Sequence, residues 1–166
     1  CRDDLWITSK LWNTYHRQEH VQAACEKSLA DLGIDYFDLY LIHFPIALKY
    51  VDFNDRYPPE WIFNSEDDHP AMETDGVPLS ETWTAMERLV ENQLARKIGV
   101  CNYSAALLHD LMSYARIKPA MLLPDLLLAG QPVERGREGR GRDPGGEDGR
   151  RAGRSCDAGA GDHGQG

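Results

Sequence analysis

The chain has 166 residues, a formal charge of −9, 42% hydrophobic and 27% charged residues. That length suits about one domain. The acidic balance disfavours a phosphate-binding partner such as nucleic acid. No run of about 18 apolar residues offers a membrane span, and no basic segment leads into an apolar signal core. The four cysteines, Cys1, Cys25, Cys101 and Cys156, have neither CxxC nor Cys/His spacing, so neither a disulfide framework nor a structural zinc site is expected. A reducing, cytoplasmic setting is the expectation for such a chain. It opens on Cys1 rather than Met, from which a missing upstream segment is expected.

In chain order, Leu5–Leu11 is a short apolar run with β-branched Ile7 and Thr8, a strand signal. Val21, Ala24, Cys25, Leu29 and Leu32 then recur at helical spacing, and Gly33 follows where a helix ends in the left-handed conformation. The run YFDLYLIHF (Tyr36–Phe44) is apolar and aromatic almost throughout, as in a parallel strand covered on both faces. Residues 45–79 are long, polar and rich in proline, the pattern of a functional or disordered loop. Ser80 predicts a helix N-cap, with Trp83, Met86, Val90 and Leu94 as the buried stripe. KIGVCNY (Lys97–Tyr103) is a third strand and its exit. Ser104 caps a third helix striped by Leu107, Leu108, Leu111, Met112 and Ala115, and PAMLL (Pro119–Leu123) begins a fourth strand.

Strand and helix therefore alternate over residues 1–123, which implies a parallel α/β sheet with right-handed crossovers. Four strands suit either an open doubly wound sheet or about four units of a (β/α)8 barrel. No GxGxxG follows any strand. Residues 124–166 are of another kind. The last 38 residues hold 12 of the 15 glycines, seven arginines, no aromatic residue and one large aliphatic, Val133. Such a Gly/Arg-rich segment is expected to stay disordered, because it cannot bury enough apolar area to offset its chain entropy. Its seven acids interleave with its arginines, which argues against RNA binding; a GC-rich gene read out of frame gives the same composition.

Polar residues gather at the C-terminal ends of the strands: Lys10 on the first, His43 on the second, Cys101 and Asn102 on the third. In a barrel that end carries the active site. Singly, each has a bland reading: a solvated lysine, a packed histidine, a turn. Three on one end point to a site. His16 and His20 are spaced i, i+4 and would share a helix face, but no third ligand is in sight and the motif is not HExxH, so a solvated face is the expectation and no metal is expected. The acidic run from Glu66 to His69 reads as a solvated loop.

The stretches DDLWITSKLWN (Asp3–Asn13), LGIDYFDLYLIHFP (Leu32–Pro45), LSETWTAMERLVE (Leu79–Glu91) and IGVCNYS (Ile98–Ser104) resemble the aldo-keto reductase family, and IALKYVDFNDRYPPEW (Ile46–Trp61) resembles the loop of its fungal xylose (aldose) reductase branch. The resemblance implies a partial (β/α)8 barrel that reduces an aldehyde or aldose with NADPH, or NADH in some members, without a metal. It assigns catalytic roles to Lys10 and His43, the hold on the nicotinamide carboxamide to Asn102 and Cys101, and a wall of the substrate pocket to Trp12. Cys101 stands where the family usually has serine. The family's proton-donating tyrosine and its aspartate precede the SKLWN strand and have no match here; Leu123 stands in place of a glutamine facing the cofactor, and the basic segment for the adenosine 2′-phosphate has no counterpart. On this reading the chain by itself is expected to be inactive. The alternative is a non-enzymatic truncated product or a binding module.

Overall fold

The structure is a computed structural model in which residues 2–63, 68 and 71–124 are described. Strands β1 (Thr8–Leu11), β2 (Leu39–Ile42), β3 (Ile98–Cys101) and β4 (Leu122–Leu123) alternate with helices α1 (Gln18–Leu32), α2 (Leu79–Glu91) and α3 (Ala105–Tyr114). All pairs are parallel and the sheet order is β1-β2-β3-β4. Strand order follows chain order with no reversal. That is the order of a barrel segment; a doubly wound sheet reverses at a switch point.

The register pairs Ser9 with Tyr40, Lys10 with Leu41 and Leu11 with Ile42. Alternation sends one set to the helices. Leu11, Tyr40, Ile42, Ile98 and Val100 join Trp83, Met86, Leu89 and Leu111 of α2 and α3 in the main core. Leu39, Leu41 and Cys101 form a second, smaller buried cluster. Gly99 lies opposite Leu41. A Cβ on it would stand 2.5 Å from the Met121 carbonyl oxygen and 2.7 Å from Leu41 Cδ2, so only glycine lets β4 approach.

Local signals explain the helices, with some shifts. At α1, Gly33 takes φ 63°, its N–H bonds to Ala30 O, and Ile34 N–H bonds to Leu29 O, a closure that needs the left-handed residue. Val21, Ala24, Cys25 and Leu29 are buried as expected, but Leu32, in the last turn, is 57% exposed. Helix α2 begins one residue before Ser80: Pro78 is its N-cap, so Ser80 is helical and caps nothing. Its fully buried stripe runs through Trp83, Met86 and Leu89; Val90 and Leu94 are partly buried against the same core, Leu94 from beyond the helix end at Glu91. Ser104 caps α3, accepting from Leu107 N–H at 3.3 Å, whereas Met112 faces outward. The strands are shorter than the apolar runs, and Leu5 and Trp6 are exposed. The expected disorder of 124–166 concerns residues that, after Pro124, lie outside those described, as do Glu66, Asp67 and His69.

Two buried carboxylates tie the elements together. Asp38, at the start of β2, accepts from Ile7 N–H at 2.9 Å, Arg2 at 2.9 Å and Arg96 at 3.2 Å. The Ile7 N–H and the Arg2 guanidinium hold its carboxyl below the usual carboxylate range. Glu87 of α2 accepts from the N–H groups of Arg116 and Ile117 at 2.7 and 2.8 Å, and the Trp83 indole donates to Ile117 O; together they aim the chain into β4.

Two outcomes follow from this packing. Gly99→Ala should destabilise the fold by about 1–3 kcal/mol, read as a lower midpoint in urea unfolding, because the clash is with backbone. For Asp38, the folded carboxyl has the lower pKa, so its contribution is full above pH 4 and is lost as pH falls through the folded value. Asp38→Asn should therefore lower Tm at pH 7, with the gap to the parent closing below about pH 4; a gap constant with pH would refute the linkage.

Candidate functional site

The C-terminal ends of β1, β2 and β3 gather the polar residues. Asn102, the first residue after β3, takes φ 60°, a left-handed conformation that asparagine tolerates better than most side chains. Its backbone N–H donates to Leu123 O at 3.0 Å. Its Nδ2 donates to the carbonyl oxygen of His43 at 2.8 Å. One residue thus ties the ends of β2, β3 and β4. Its Oδ1 is buried and accepts no hydrogen bond among the described residues. Such an acceptor costs free energy unless something donates to it.

His43 follows β2, and its N–H bonds to Leu11 O at 3.1 Å. Its ring meets Trp12 edge-on, centroids 5.3 Å apart, and stacks on Phe44 at 4.6 Å. Trp12 also meets Trp61 of the long loop at 5.0 Å, and Trp61 meets Phe44 at 4.9 Å. Trp12, His43, Phe44 and Trp61 make an aromatic wall at the end of β1 and β2. Lys10 is exposed and pairs in register with Leu41, two residues before His43. Cys101 is buried against Leu39 and Leu41 and is not in a disulfide.

Of the residues expected from sequence, Trp12, His43 and Asn102 are brought together by direct contacts. Lys10 and Cys101 lie on the same sheet ends. Phe44 and Trp61 were not singled out. A tryptophan in a polar, proline-rich loop was the available signal, since such loops carry function on a rigid scaffold.

The histidine pair behaves differently from a solvated helical face. His16 precedes α1 and is 1% exposed. Burial lowers its pKa to about 4, so it is neutral at pH 7. His20 stacks on Tyr50 at 3.7 Å. The two rings do not share a helix face, and no group of three metal-ligating side chains occurs among the described residues.

A family model described as the Aldo/keto reductase family matches residues 1–135. The probable NAD(P)H-dependent D-xylose reductase of Aspergillus clavatus is 58% identical over 121 residues, 73% of this chain and 36% of that protein. The aldose reductase of Schistosoma japonicum superposes with TM-score 0.66 at 40% identity, over 75% of this chain and 38% of the other. A Bombyx mori aldo-keto reductase solved in complex with NADP gives TM-score 0.60 at 36% identity, over 74% and 34%. The chain thus spans little more than a third of the length of the relatives it matches.

The Asn102 tie makes a stability prediction. Asn102→Ala loses the side-chain bond and places a Cβ at positive φ without compensation; Asn102→Gly loses only the bond. Ala should cost about 2–3 kcal/mol and Gly about 1 kcal/mol less, read by denaturant unfolding. Equal costs would show that the left-handed backbone carries no strain.

Proposed function

The chain belongs to the aldo/keto reductase family, and from that premise we propose that it carries the lysine–histidine part of an NAD(P)H-dependent reductase site for an aldehyde or aldose. The observation that carries this reading is the position of Lys10, His43 and Asn102 at the C-terminal ends of three successive parallel strands, the active-site end of a barrel.

The cofactor fits the residues present. Asn102 Oδ1, a buried acceptor without a donor, suits the N–H of a nicotinamide carboxamide, and Cys101 lies beside it. The group supplies a hydride equivalent when bound. The chain's own residues supply part of the rest. His43 donates a hydrogen bond to the carbonyl oxygen and orients it, its ring fixed between Trp12 and Phe44. Lys10 sets a positive charge where negative charge develops on that oxygen, and would favour ionisation of the phenolic acid that the family places before the SKLWN strand. Trp12, Phe44 and Trp61 exclude water along one side, which strengthens both interactions. The substrate is a small carbonyl compound, xylose-like by analogy with the relatives. On this reading neither nucleic acid, membrane nor metal takes part and the setting is cytoplasmic; the acidic charge and the scattered cysteines of the sequence support it.

The test uses the relative as host. Residues 2–122 replace the matching segment of the Aspergillus clavatus protein, and NADPH-dependent xylose reduction is followed. The chimera should reduce xylose. Lys10→Met in it should cost about 10²–10⁴ in kcat, with NADPH affinity within a few-fold. His43→Ala should lower kcat/KM comparably. Near-parental rates in both variants would overturn the assignment.

A further inference from the structure

Between β1 and α1 the chain makes one tight turn. Asn13–Tyr15 is a 3-10 turn, closed by Tyr15 N–H to Trp12 O at 3.1 Å, and His16 continues it at φ −71° and ψ −24°. Its outer carbonyls are engaged. Asn13 O accepts from Leu48 N–H at 2.9 Å, and His16 O accepts from the Thr82 hydroxyl at 2.9 Å. The backbone of the turn is thereby tied to the start of the long loop and to the first turn of α2. In 3-10 geometry side chains three apart eclipse, so Asn13 and His16 stand on one side of the turn.

The two side chains are not matched in the same way. Asn13 is 0% and His16 1% exposed. Yet Asn13 Oδ1 and Nδ2 and His16 Nδ1 and Nε2 have no hydrogen-bond partner among the described residues. The chain itself closes over these atoms, so their want of partners does not come from an open edge of the sheet. Other buried polar groups are matched. Asp38 holds Ile7 N–H, Glu87 holds the N–H groups of Arg116 and Ile117, and Thr82 donates to His16 O. Buried polar groups without partners cost free energy, and native folds carry few of them. Their concentration on one side of one turn points to a molecule held between them.

The chemistry of these atoms defines that molecule. A neutral imidazole offers one N–H and one bare nitrogen, and an amide offers an acceptor oxygen and two N–H groups. Burial lowers the His16 pKa to about 4, with no neighbouring charge contributing, so the ring is neutral at pH 7. Arg17, the next residue, is engaged in a two-bonded pair with Asp75. A charged ligand would find no counter-charge here. The site calls for a small neutral molecule that both donates and accepts. Water is such a molecule, and an internal water typically makes about three hydrogen bonds. We propose that Asn13 and His16 enclose an internal water site, in which water bridges the amide to the imidazole. The bridge locks His16 in one tautomer and braces the main chain that leaves Trp12. It completes with side chains the tie that the backbone makes to the loop and to α2. The proposal does not rest on the catalytic reading.

The first measurement uses the unaltered full chain, isotopically labelled. Water–protein Overhauser spectra should show direct cross-peaks from water to the Asn13 amide protons and to the His16 ring N–H. The ring nitrogen shifts should report a single neutral tautomer. Rotating-frame spectra separate these contacts from proton exchange. Cross-peaks missing at both side chains would overturn the proposal. Asn13→Leu and His16→Phe then remove one partner each. Each single variant should unfold at a lower urea concentration than the parent. The double variant should unfold above either single, because no half-matched partner remains. It should also lose at least one long-lived water, read by water-oxygen relaxation dispersion. Higher urea midpoints in both singles would show the atoms to be dry, and an unchanged water count would place the water elsewhere; either result overturns the proposal.

Discussion

The parallel register of β1, β2 and β3 is the constraint on which the rest depends. Lys10 pairs with Leu41, and Leu41 with Gly99. Side chains alternate with a period of two, so a slip of one residue would exchange the faces. Lys10 would turn into the helix layer, and Tyr40 and Ile42 would leave it. Apolar residues on the helix side enforce the register, since Leu11, Tyr40, Ile42, Ile98 and Val100 are all buried there. Burial of such side chains is worth about 1.5–3 kcal/mol each, and their sum outweighs the hydrogen bonds at the site.

Polar ties then pin the two ends of the sheet. At the start of the strands, Asp38 holds the Ile7 N–H together with Arg2 and Arg96. At their ends, Asn102 holds His43 O and Leu123 O. The first tie is electrostatic and distant from any chemistry. The second sits inside the candidate site, so the same residue that joins three strands also presents an unpartnered acceptor. One side chain in a left-handed backbone thus carries both the tie and the open acceptor.

The long loop links the site to the helix layer. Trp61 closes the aromatic wall over Trp12 and Phe44. The same loop rests on α1 through Tyr50, Phe53 and Tyr57, and Arg17 clamps its far end by a two-bonded pair with Asp75 at 2.7 and 2.6 Å. The described part of the loop is thus held by aromatic packing, an ion pair and a short antiparallel bridge between Leu48 and Thr74.

Much was legible in the sequence itself. Alternating apolar strands and striped helices carry their own period, so the βα order, the Gly33 closure and the Ser104 cap could be read from spacing alone. Lys10, His43 and Asn102 were legible as strand-end residues, and the motifs around them resemble one family. Helix ends were less so: Pro78 took the cap position from Ser80, and Leu94 of the expected stripe lies beyond the helix, which ends at Glu91. Only the tertiary structure decided that the four strands lie side by side in chain order, which separates a barrel segment from a doubly wound sheet. It alone brought Trp61 to Trp12, 49 positions away, and it alone buried His16 as a neutral ring. Sequence encodes periodicity and backbone preference locally; which distant side chains meet is fixed only when the core closes.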